Sequence, residues 1–247
     1  MAAMNEDTYV WLLWASAFLV PWLGLYIAVP RVRRRMLWAS LFTTPFGLTE
    51  PLFVPEYWAP PSLFDLALRT GFDIESLIFC FGIGGVGSAL YETVMRSDAA
   101  ALTRHEPGAR EHRYHRLALA APFISFPLLY PFPWNPIYPA IVAMAIGIAA
   151  TVACRPDLAR RICLGGALFI GYYGIFLLGL EWSAPGYIAR VWALDALSGV
   201  RLGPFPIEEF LFAAGFGGYW SAVYEHFTWR ASGARASARS TGDVLTP

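Results

Sequence analysis

The sequence predicts an all-α polytopic membrane protein, with seven transmembrane helices arranged as two parallel three-helix repeats joined by one inverting helix. Three observations carry this expectation. Of the 247 residues, 57% are hydrophobic and only 15% charged, against about 25% charged in a soluble domain. All 18 basic side chains are arginines, gathered in short clusters. One helix-length stretch also recurs later in the chain.

A bilayer core requires apolar runs of roughly 17–25 residues. They fall at 8–29, 36–54, 74–95, 117–132, 136–154, 162–181 and 207–228. The first lacks a basic leading region and is not read as a signal peptide. The fourth is short and carries Pro122, Pro127 and Pro131, so it is expected to be kinked or tilted. If seven spans alternate, 15 of the 18 arginines lie on one side, leaving only Arg69, Arg190 and Arg201 on the other. The positive-inside rule then places the N-terminus outside the cell membrane and the C-terminus in the cytoplasm. Along the chain, 1–7 is a short N-terminal tail and 8–95 the first three-helix repeat. Residues 96–135 form a basic cytoplasmic loop and linker helix, 136–229 the second repeat, and 230–247 a disordered tail. Cys80, Cys154 and Cys163 have neither metal-ligand nor disulfide-framework spacing and are read as small core residues.

Shifted by 133 residues, IESLIFCFGIGGVGSALYE (74–92) overlies IEEFLFAAGFGGYWSAVYE (207–225) with ten of 19 positions identical. Upstream, a P-x-Y-x-A pattern followed by Asp recurs as Pro55…Asp65 and Pro185…Asp195. Within the first copy, Gly82, Gly84 and Gly87 match the G-x-G-x-x-G spacing of dinucleotide-binding turns. That site needs a strand, a turn and an open helix N-terminus. Here the glycines lie inside an apolar span, and Trp220 replaces the third one in the second copy. Close helix packing explains them better.

Ionisable groups inside spans cost about 2.5–3.5 kcal/mol or more at mid-membrane and point to function. Glu50 and Glu181 end outward-running spans; Glu75 and the pair Glu208–Glu209 begin inward-running ones, so these acids gather near one membrane face. Asp65, Asp73 and Asp195 in the intervening segments read as hydrated interfacial acids. Glu92 and Glu225 lie 17 residues beyond Glu75 and Glu208, about 25 Å along each helix. With the adjacent tyrosines and His226 they suit structural hydrogen bonding. Two adjacent carboxylates entering a Phe-rich span disfavour double ionisation, so one can serve as a neutral acid. Such an acid can protonate an alkene, aromatic faces can stabilise the resulting cation, and a second carboxylate can take a proton back.

PFPIEEFLF (204–212), the repeated helix ending in Tyr-Glu and the three-helix duplication together resemble the integral-membrane lycopene cyclase family, of the heterodimeric bacterial and fungal bifunctional type. The resemblance covers about residues 8–229 and rests on Pro-x-Glu-Glu opening a helix. It implies redox-neutral cyclisation of a carotenoid ψ-end, an intramolecular lyase or isomerase reaction that consumes no flavin or metal, so no cofactor and no metal site are expected. By the same resemblance Glu208, Glu209 and Glu75 are the catalytic acids. Glu50, Glu181, Pro206, Phe210, Glu92 and Glu225 bind or support the substrate. The implied partner is a carotenoid in the bilayer, with other carotenoid-pathway enzymes or a second copy as protein partners and no nucleic acid. The first repeat departs from the pattern: Asp73-Ile74-Glu75-Ser76 lacks the proline and the second glutamate. This leaves open a catalytically silent subunit of a carotenoid pathway. A small-solute carrier of the SWEET-like 3+1+3 layout is the alternative from another class, although the Pro-Gln motif of those carriers is absent. With no lysine in the chain there is no Schiff-base site for retinal. No D-x-x-D or D-x-x-x-D offers the Mg²⁺ ligands of a membrane prenyltransferase.

Overall fold

The computed structural model describes residues 7–96, 100–101 and 112–231. Most of the N-terminal tail, much of the basic loop and nearly all of the C-terminal tail expected from the sequence lie outside the described residues. Helices α1 (Val10–Ala17) and α2 (Leu19–Ala28) run nearly end to end, followed by α3 (Arg33–Thr43), the short α4 (Leu66–Thr70) and the long α5 (Ile74–Met95). Then come α6 (His115–Leu129), α7 (Ile137–Cys154), α8 (Ala159–Ser183), the short α9 (Tyr187–Val191) and α10 (Ile207–Thr228). A small hairpin pairs Arg201–Leu202 with Phe205–Pro206 just before α10.

Among the described residues, four segments are long and apolar enough to cross a membrane: Val10–Ala28, Ile74–Met95, Ile137–Cys154 and Pro156–Ser183. Helix α6 is apolar but shorter. The expected span at 36–54 is not one α-helix. After Thr43 the chain tightens into a 3₁₀ helix, Thr44–Leu52, because Pro45 and Pro51 lack the N–H that an α-helical ladder needs there. Helices α5 and α10 are the most enclosed, whereas the outer helices expose Val20, Ile27, Leu41, Leu128 and Ile175. Apolar side chains facing outward around a buried centre fit surroundings of lipid.

Small residues let this centre close. A side chain at Gly84 would collide with Thr43, and one at Gly85 with Trp22 and Ser40, so α3 and α2 press directly on α5. The G-x-G-x-x-G spacing thus lies in mid-helix, where it packs. Gly47 has the largest consequence for function. A Cβ there would sit 2.7 Å from the Leu77 backbone nitrogen, so the 3₁₀ segment lies backbone against backbone on the first turn of α5. That contact carries Glu50 to Ser76. Cys80 is partly buried and Cys154 buried, but Cys163 is exposed on α8, which corrects its placement in the core.

Candidate active site

Between the helix ends lies a cavity of about 340 Å³, within the range of small-molecule pockets. Fifteen of its 28 lining residues are aromatic, and among the described residues Glu50 and Glu209 are the only charged ones that line it. The outer segments help to roof it. Trp58 and Trp192 form an antiparallel bridge, held by Ala59 N–H to Val191 O and Ala193 N–H to Tyr57 O, both 2.9 Å.

Glu209 is 2% exposed. The Tyr57 hydroxyl donates to its Oε1, as does the Trp192 indole N–H at 2.7 Å, and the Tyr173 hydroxyl donates to Oε2 at 2.7 Å. Each donor comes from a different segment, so the carboxylate is held from three sides with no cation among these partners. Burial pushes the Tyr57 phenol well above its usual range, and the charge of Glu209 adds to the effect. Tyr57 therefore keeps its proton and stays a donor.

Glu50 is 7% exposed and receives the Ser76 hydroxyl on Oε2 at 2.9 Å. Its Oε1 is buried without a hydrogen-bond partner. Ser76 is the residue aligned with Glu209 in the 133-residue shift. Where the first stretch lacks a second glutamate, its serine holds a carboxylate brought in from the preceding 3₁₀ segment.

The other acids singled out by the sequence do not line the cavity. Glu208 Oε1 accepts the Tyr138 hydroxyl at 2.8 Å and the Ser198 N–H at 2.9 Å. Glu75 Oε1 accepts the Leu63 N–H at 2.7 Å. Each therefore fastens the loop preceding its own helix, at a helix start where the dipole favours negative charge. Glu181 accepts the Gly186 and Ile188 N–H groups at 2.6 and 3.3 Å and so holds the start of α9. Pro206 caps α10 from an extended conformation. The Phe210 ring packs on Phe205, with centroids 6.3 Å apart.

At the far end of α5 and α10, Glu92 and Glu225 form a buried network with Arg35 and Arg161. Arg35 pairs with both carboxylates and so does Arg161, whose Nε lies 3.3 Å from Glu225 Oε2. The Arg35 guanidinium lies 5.1 Å from the Tyr224 ring centroid, and that of Arg161 lies 4.7 Å from that of Tyr91. Sequence reasoning named the glutamates but missed the arginines. A signal was present: Arg35 and Arg161 each stand five residues after a proline, Pro30 and Pro156, that opens a 3₁₀ turn. Tyr57 sits in the recurring P-x-Y-x-A pattern, but nothing in the sequence marked Tyr173 or Trp192 as its fellow donors.

No curated protein and no solved structure matches the chain. Residues 135–227, which contain α7, α8, α10, Tyr173, Trp192 and the Glu208–Glu209 pair, match the family model described as Lycopene cyclase. Over that second part, the chain is similar to the lycopene cyclase family.

Proposed function

We propose that this protein is a carotenoid cyclase that closes a ring on a ψ-end held in the aromatic cavity. The observation that carries the proposal is the pairing of two carboxyl groups, Glu50 and Glu209, as the only charges among the described residues lining a mostly apolar, aromatic chamber. Glu50 keeps a buried oxygen without a partner, the arrangement suited to a protonated carboxyl waiting for an alkene. Its proton adds to the terminal isopropylidene double bond and leaves a tertiary cation. The next alkene of the chain attacks that cation, forming the ring bond and moving the charge into the ring. Glu209, oriented by its three hydrogen bonds, accepts the proton lost as the ring double bond forms. One proton enters and one leaves, so the reaction is redox-neutral and isomerises its substrate. Aromatic faces around the chamber stabilise the intermediate cations.

Substrate enters from the bilayer. Phe123 lines the chamber yet is 41% exposed, and it stacks on Phe46 at 6.0 Å. The polyene passes out along this aromatic edge while the end group stays inside. The chain crosses the cell membrane seven times as two parallel three-helix repeats, N-terminus outside. The arginine distribution and the reciprocal Arg35–Tyr224 and Arg161–Tyr91 contacts support that layout. Its partners are the carotenoid and either a second copy or other carotenoid-pathway enzymes, and not nucleic acid.

The test is chromatography of pigments from lycopene-accumulating cells that express the chain, alongside Glu50→Gln and Glu209→Gln variants. Cyclic products from the parent that disappear in both variants support the assignment. An unchanged lycopene peak, with folded protein in the membrane, rules out lycopene as the substrate. Cyclic products that persist in either variant overturn the role given to that acid.

A further inference from the structure

At the end of α10 remote from Glu209, the structure brings three of the four histidines and one cysteine together. His115 opens α6, Cys154 closes α7 and His226 lies in the last turns of α10. Their ligand atoms all lie within 4.8 Å of one another, and all three residues are buried. His112, three residues before His115, joins them: Cys154 Sγ is 3.7 Å from both His112 Nδ1 and His115 Nδ1. We propose that His112, His115, Cys154 and His226 form a binding site for a transition-metal ion of the zinc(II) class.

Three features favour an ion over a packed cluster of rings. In a tetrahedral zinc site, bonds of about 2.3 Å to sulfur and 2.0–2.1 Å to nitrogen put those two atoms about 3.6 Å apart, close to both measured separations. A single ion accounts for both distances at once, whereas hydrogen bonds would need Cys154 to donate to one imidazole and accept from the other. His226 is the second feature. It is 0% exposed and its Nε2 has no hydrogen-bond partner, while its Nδ1 lies 3.4 Å from Thr151 Oγ1. Metal-bound histidines adopt this division of labour, one ring nitrogen oriented by an acceptor and the other left for the ion. Third, an aromatic ring covers two of the histidines and the neighbouring positive charge is compensated. The Trp229 ring stacks on His115 at 3.9 Å and meets His112 edge-on at 5.2 Å. The nearby Arg155 guanidinium is held by both oxygens of Asp157 at 2.8 Å.

Binding replaces the thiol proton with the metal and releases that proton to solvent; no electron is transferred. Cys154, His115 and His226 supply one sulfur and two nitrogens, and His112 beside that sulfur completes a four-ligand set, the number used by structural ions. It ties the ends of α6, α7 and α10 together, well away from the cavity, so it takes no part in ring closure and does not depend on the cyclase proposal. The sequence carried a hint in His112-x-x-His115, but its other two ligands are distant in the chain.

The decisive probe is cobalt(II) added to the purified full chain in detergent, carried without a polyhistidine tag and freed of metal by a chelator. The expected result is one equivalent bound per chain, with a thiolate-to-cobalt charge-transfer band and the intense visible bands of tetrahedral cobalt. Zinc(II) displaces them. Cys154→Ser removes the charge-transfer band, Cys163→Ser leaves it unchanged, and Thr151→Val weakens binding roughly ten- to hundredfold. Absence of the band in the folded parent overturns the proposal, as does its persistence in Cys154→Ser. If Cys154→Ser does not fold, the parent spectrum and the Thr151→Val titration still decide, and unchanged affinity in the latter counts against the site.

Discussion

Near the start of α10, Glu209 is met by two phenols and an indole; toward its other end, Glu225 is met by two guanidiniums. Both side chains are buried glutamates on one helix. Paired arginines tie α3, α5, α8 and α10 together, so the Glu92–Glu225 end serves as a lock between helices. Neutral donors orient a carboxylate without cancelling its charge, so the Glu209 end can still take up a proton. The same residue type thus does structural or chemical work according to what the fold brings against it.

The sharpest way to break this contrast is to neutralise each end. Glu209→Gln is expected to lower ring closure by about 10²–10⁴-fold, the usual contribution of a general acid or base, while the folded yield stays near that of the parent. Glu225→Gln is expected to do the reverse. With one carboxylate left to share two buried arginines, stability falls by about 3–5 kcal/mol, read as a lower unfolding midpoint in detergent. A stable Glu225→Gln protein that no longer cyclises would erase the distinction between the two ends.

Smaller changes refine the picture. Tyr173→Phe removes one of the three donors to Glu209 and is expected to slow product formation about tenfold, equivalent to about 1.4 kcal/mol, without loss of fold. The smallest effect is expected for Glu208→Gln. The amide oxygen can still accept from Tyr138 and Ser198, so pigment yield should fall by less than about threefold. Hydrogen exchange around Ser198 is the more sensitive readout there. A Glu208→Gln loss equal to that of Glu209→Gln would move the chemistry to the adjacent acid.

Much of the helical layout was legible in the chain. The apolar runs at 8–29, 74–95, 136–154 and 162–181 correspond to the four segments long enough to span a bilayer, and the run at 207–228 is helical over those bounds. The run at 36–54 was less so, because hydropathy does not register what Pro45 and Pro51 do to the helix ladder. The acids were visible too, but their work was not. Glu50 drew attention only as a span terminus, and its approach to Ser76 depends on Gly47 lying against the α5 backbone. Glu208 and Glu209 looked like the acid/base pair with Glu75 as their partner, yet Glu208 and Glu75 each turn to a loop N–H. A helical step of about 100° separates adjacent residues, so Glu208 and Glu209 cannot both face the same chamber.

Composition, arginine placement and hydrophobic spacing are properties of short windows, and those windows alone set the apolar helical character of the protein and the position of each glutamate along its helix. Partner choice is a long-range property. Glu209 meets donors 152, 36 and 17 residues away, and Arg35 reaches Glu225 across 190 residues. Burial leaves each carboxylate only those few neighbours, so its partners are set by the elements packed around it. The folded packing of the helices therefore decided which acids became locks, which became loop clamps and which two face the cavity.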